Sequence, residues 1–135
     1  MLMHGTCVCI DGKGVLILGD AGSGKSELAL RLIDRGAVLV ADDQVELLAV
    51  RKELVASVPP QIEGLFEVRG VGIFQMAFVD HVPLSLVVKL VPRTHIERMP
   101  DPMFFDCLEV RVPLLLLHSF DHATDAKIRL FLKTA

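Results

Sequence analysis

Residues 19–26 read Gly-Asp-Ala-Gly-Ser-Gly-Lys-Ser, a complete G-x-x-x-x-G-K-[ST] pattern. Each position has a task if the ligand is a polyphosphate. Gly19, Gly22 and Gly24 let the backbone bend so that successive N–H groups face one cavity. The helix expected to follow adds free N–H groups and the positive end of its dipole. Lys25 is a cation long enough to reach the terminal phosphates, and the Ser26 hydroxyl can ligate a magnesium ion bridging two of them. The expected nucleotide-binding set is therefore Gly19, Asp20, Ala21, Gly22, Ser23, Gly24, Lys25 and Ser26.

Two further groups carry chemistry. Asp42-Asp43 follows the apolar run Ala37–Ala41. An acidic residue at the end of a strand neighbouring such a loop lies where a nucleotide-bound magnesium needs a protein oxygen. Consecutive residues point in different directions, so one aspartate can serve the metal and the other can act as a general base. Glu67 and Arg69 share one face of an expected strand. The arginine can brace a transferring phosphoryl group and the glutamate can support the metal. Taken without other information, this pair reads better as a surface ion pair on an edge strand.

The elements that must position these groups are legible from periodicity. Thr6–Ile10 and Val15–Leu18 read as strands joined by a turn at Asp11–Gly14, a hairpin that feeds the loop. Lys25–Arg35 reads as a helix with Leu28, Ala29, Leu32 and Ile33 on one face and Gly36 as its stop. Strands are expected at 37–41, 45–50, 54–58, 65–68, 72–78, 84–90 and 108–117. A closing helix is expected at 123–133 with Asp121 as its N-cap. Strands that do not alternate with helices imply an α/β fold with a mixed sheet around a phosphate-binding loop, and 135 residues suit one domain, 1–135.

A net charge of −3 and a pI near 5.9 argue against a nucleic-acid binder or a ligand of anionic membranes. No apolar run approaches the ~18 residues that span a bilayer, and Met1–Gly5 lacks the character of a signal peptide. The expected location is the cytoplasm. The three cysteines agree: Cys7 and Cys9 face one side of a strand, Cys107 stands apart, and all read as buried free thiols.

Together these segments resemble the HPr kinase/phosphorylase family, bacterial protein-serine kinases that modify HPr, a phosphocarrier of the sugar phosphotransferase system. The resemblance rests on His4-Gly5, on 19–26 continued by Glu27-Leu28-Ala29-Leu30, on Arg35-Gly36, on Leu39-Val40-Ala41-Asp42-Asp43 and on Phe66-Glu67-Val68-Arg69-Gly70-Val71-Gly72-Ile73. It is dense from residue 4 to about residue 75 and thin afterwards. It implies a core similar to that of phosphoenolpyruvate carboxykinase, ATP and Mg2+ as cofactors, and phosphorylation of a serine on an HPr-type carrier. It further implies Asp42 as general base with His4 hydrogen-bonded to it, Lys25 and Arg69 as catalytic cations, and magnesium held by Ser26, Asp43 and Glu67. A homo-oligomer, six subunits in the family, is expected.

Two departures matter. Longer family members carry an N-terminal domain, whereas here the core begins at the first residues, as in the short forms of alphaproteobacteria. The family's later R-P-G-R-N loop is replaced after Pro113 by Leu114-Leu115-Leu116-Leu117-His118-Ser119-Phe120, which predicts weak phosphorylase activity. Lys89, Arg93, His95 and Arg98 form either a basic rim for the partner or a solvated charged loop. A small-molecule kinase on the same core and a non-catalytic nucleotide sensor are the alternatives, and the absence of N-K-x-D argues against GTPase signalling.

Overall fold

The computed structural model describes residues 1–134. Strands β1 (Leu2–His4), β2 (Thr6–Ile10) and β3 (Lys13–Gly19) lead into helix α1 (Lys25–Asp34). Then come β4 (Val38–Ala41), β5 (Gln44–Val50), β6 (Glu53–Ser57), β7 (Leu65–Val68), β8 (Gly72–Gln75) and β9 (Val82–Leu90). β10 (Met103–Cys107), β11 (Val110–Leu117) and α2 (Thr124–Thr134) complete the described chain.

The main sheet is mixed, as expected. Its order is β1-β5-β6-β9-β3-β2-β4, with β11 and then β10 attached alongside β9. β9 is the seam: its first residues pair antiparallel with β6, and the rest runs parallel to both β3 and β11. β7 and β8 form a separate two-stranded hairpin.

One feature of this order places the site. β2 lies between β3 and β4 and is antiparallel to both, so β3 and β4 run the same way. The two strands on either side of α1 therefore end at the same sheet edge, although they are not neighbours. β9 and β11, parallel to β3, also end there. Gly19, Ala41, Leu90 and Leu117 thus deliver the segments that follow them to one rim.

Strand alternation divides the core. Val8, Ile10, Val15 and Ile17 face α1, α2 and Phe66, whereas Cys7 and Leu16 face Val40, Leu47, Leu54 and Val87 on the other side. On α1, Leu28, Ala29 and Leu32 are fully buried, as their spacing predicted. Arg35 caps the helix and Gly36 follows at φ 107, a left-handed conformation that favours glycine. All three thiols are free; Cys7 and Cys107 are buried and Cys9 half-buried. Burial pushes the Cys7 thiol far up, so it is inert as a nucleophile.

The structure corrects several boundaries. The run 108–117 is not one strand, because Leu108 and Glu109, at φ 48 and 64, make a tight turn between β10 and β11. Arg51 and Lys52 do the same between β5 and β6, at φ 52 and 69. Neither pair carries the glycine or asparagine that marks such turns; ladder pairing on both sides holds the backbone there. β1 was not foreseen, since three residues carry no measurable period, and β8 stops at Gln75. Arg69 lies beyond β7, in the hairpin turn, so it does not share a strand face with Glu67. Asp121 is not a side-chain cap for α2: its carboxylate accepts from Arg93 Nε at 2.9 Å.

Candidate active site

The 19–26 segment leaves β3 at Gly19 and wraps into α1. Ser23 N donates to Asp20 O at 3.0 Å, and Gly22 and Gly24 take φ values of 80 and 94, the left-handed region that a side chain disfavours. Gly24 meets a second constraint. A Cβ there would collide with Ser119 and lie 2.9 Å from Phe120 Cζ. The Ser119 hydroxyl donates to Gly24 O at 2.8 Å, which ties the loop after β11 to the start of α1. No side chain caps α1. Lys25 Nζ folds back on the loop, donating to Gly19 O at 2.8 Å and Asp20 O at 3.1 Å. Ser23 Oγ is buried with no hydrogen-bond partner.

At the same rim, Ser26 Oγ donates to Asp42 Oδ1 at 3.0 Å, and Thr6 Oγ1 on the intervening strand β2 donates to the same oxygen at 2.9 Å. Asp43 takes φ 72, and its side chain has a different partner from that of Asp42. Its carboxylate lies 3.4 Å from His4 Nδ1, and both side chains are exposed. The expected His4–Asp42 hydrogen bond is therefore corrected: His4 meets Asp43. β1 pairs with β5 so that His4 lies opposite Gln44, one residue from Asp43, and Gly5 N donates to Asp43 O at 3.1 Å. The sequence could not reveal this, because β1 itself was not legible.

An open cavity of about 510 Å³ runs from the loop along α1. Gly22, Gly24, Lys25 and Ser26 line it, Glu67 and Arg69 come from the β7–β8 hairpin, and Leu30, Arg31 and Phe120 are among the other wall residues. The structure thus brings Glu67 and Arg69 to the loop, and among the described residues neither forms a salt bridge. Among the described residues no three His, Cys, Asp or Glu side chains converge as a metal cage.

Sequence reasoning missed the 118–121 segment. Arg31 Nη2 donates to Ser119 O and Nη1 to Asp121 O at 3.2 Å, and Asp125, buried on α2, lies 3.5 Å from Arg35 Nε. Of the residues read as a basic rim, Arg93 is committed to Asp121.

The family model described as the HPr serine kinase C-terminal domain matches residues 1–117. The chain belongs to this family. Its resemblance to curated family members is broad: it is 38% identical over 124 residues to the HPr kinase/phosphorylase of Ralstonia pickettii, a match covering 84% of this chain and 38% of that protein. To the HPr kinase/phosphorylase of Caldicellulosiruptor bescii it is 53% identical over 74 residues, 54% of this chain and 24% of that protein. The chain thus spans 38% of the length of the curated relatives it matches most fully. Among solved structures, the Hpr(Ser) kinase/phosphatase from Coxiella burnetii superposes with a TM-score of 0.87 at 30% identity, covering 99% of this chain and 95% of that one. The curled α/β sheet is therefore a fold of this family. Among the described residues no helix is long and apolar enough to cross a membrane.

Proposed function

We propose that residues 1–135 form one cytoplasmic kinase domain that transfers the γ-phosphoryl group of ATP to a serine of an HPr-type phosphocarrier. The observation that carries this reading is the meeting of two sequence-distant groups at one rim. The 19–26 loop reaches Asp42 through Ser26, and Asp43 stands beside it with His4. The residues present suit a nucleotide. The uncapped α1 start and two left-handed glycines offer backbone donors to phosphate oxygens. Lys25, now on loop carbonyls, has a better acceptor in a γ-phosphate.

Magnesium, when bound with ATP, neutralises charge on the phosphates. Ser26 and Asp42 would hold it, since they already meet at 3.0 Å, in place of the sequence-based set of Ser26, Asp43 and Glu67. Few protein ligands are needed, since magnesium takes its other oxygens from phosphates and water. Asp43 is the general base: it accepts the serine hydroxyl proton as that oxygen attacks in line, and His4 orients its carboxylate. Its exposure favours a protein acceptor over a small molecule, which would need an enclosed base. Lys25 and Arg69 stabilise the transferring group, with Glu67 on the cavity wall.

The test is incubation with labelled ATP, magnesium and HPr from the same cell, followed by mass mapping. Phosphoserine on HPr is expected. Nucleotide binding without transfer would replace this reading with a regulatory sensor.

A further inference from the structure

The cavity combines polar and apolar lining. Its loop end presents backbone N–H groups, Lys25 and Ser26, which suit phosphate. Leu30, one to two turns into α1, and the ring of Phe120, which lies over Gly24, add an apolar wall that offers a polyphosphate nothing. Phe120 is 54% exposed yet not loose. Its tip rests on Gly24, where an added Cβ would lie 2.9 Å from Cζ, and its edge packs on His118 with ring centroids 5.7 Å apart at 72°. His118 is itself anchored, its Nδ1 3.0 Å from Val91 O. Arg31 holds the backbone on both sides of the ring, at Ser119 O and Asp121 O. A large apolar ring has thus been fixed in a cavity wall with its surface open to solvent.

We propose that Phe120 is the stacking platform for the nucleobase of the bound nucleotide, with Leu30 as the adjoining apolar wall. Resting on the phosphate-loop reading above, it extends that reading to three residues beyond the 1–117 family match. A flat heteroaromatic ring is the part of a nucleotide that gains from such a surface, and stacking on an aromatic side chain changes affinity by roughly tenfold or more on alanine substitution.

The experiment compares ATP with inorganic tripolyphosphate, which has the phosphates and no base. Binding is followed by calorimetry on the full chain, with circular dichroism checking each variant's fold. Phe120→Ala should weaken ATP about tenfold and leave tripolyphosphate unchanged, and Phe120→Tyr should restore ATP affinity. The chain has no tryptophan, so Phe120→Trp supplies a single fluorophore. Its emission should respond to ATP and not to tripolyphosphate.

Equal losses for both ligands in Phe120→Ala would show that the ring only shapes the loop and would overturn the proposal. So would unchanged ATP affinity, including the case where only the KM for the carrier rises. A wild-type protein that binds neither compound would remove the phosphate-loop reading and this proposal with it. Wild-type binding of both, indifferent to Phe120, would remove this proposal alone.

Discussion

The Ser26 hydroxyl and the Asp42 carboxylate, 16 residues apart in sequence, meet at 3.0 Å. The contact joins the start of α1 to the end of β4 across an intervening antiparallel strand, whose Thr6 donates to the same carboxylate oxygen. It divides the adjacent aspartates: Asp42 is held by Ser26 and Thr6, and Asp43 stands beside His4 with its side chain exposed.

Substituting Asp43→Asn should lower phosphoryl transfer by about two to four orders of magnitude, the scale for losing a general base, with nucleotide binding intact. Asp42→Asn should instead weaken magnesium-dependent nucleotide binding. Calorimetry and single-turnover kinetics on both variants check the division. Matching phenotypes would refute it.

Lys25→Ala should leave a folded protein with little transfer activity. The lysine ammonium donates only to loop carbonyls, and the residue lines the cavity and is not part of the buried core. A folded variant, by circular dichroism, with wild-type turnover would remove the lysine from the mechanism.

Phosphorolysis of phosphoserine-HPr should be much slower than the forward reaction. The reverse step brings a phosphate dianion towards a phosphoserine dianion, and each missing cation raises that barrier. The R-P-G-R-N arginine is absent and Arg93 is held by Asp121, which leaves Lys25 and Arg69 for the task. The measurement is pyrophosphate release from phosphoserine-HPr in millimolar phosphate. Equal forward and reverse rates would mean that another residue fills the role.

Acid should destabilise the fold in part through Asp80. Burial pushes its carboxyl pKa up, but hydrogen bonds from Val58 N–H, the Ser57 hydroxyl and His81 N–H, with the His81 imidazole nearby, outweigh it and hold the group below its usual range. A depressed folded pKa means stability present above the unfolded value, which is 3.8, and lost as pH falls through the folded one. Denaturant midpoints of wild type and Asp80→Asn should converge below that range, with the variant the weaker of the two at neutral pH. Parallel pH curves would exclude Asp80.

Much of this molecule was legible locally. The loop at 19–26, the hairpin before it, the buried face of α1 and the turn at Asp11-Gly12, with φ 50 and 78, each follow from residues within a few positions of one another. Backbone freedom and side-chain period act over that range. The acidic pair was also visible as a pair. What each aspartate touches was not, because its partners, Ser26, Thr6 and His4, arrive by strand order and register. Asp121 reads locally as a helix cap, yet Arg93, 28 residues earlier, takes its carboxylate. Phe120 meets Gly24 only because β11 runs parallel to β9, and β9 to β3, so that all three end at one rim. Those contacts depend on the free energy of packing the whole sheet, which no short window of sequence contains.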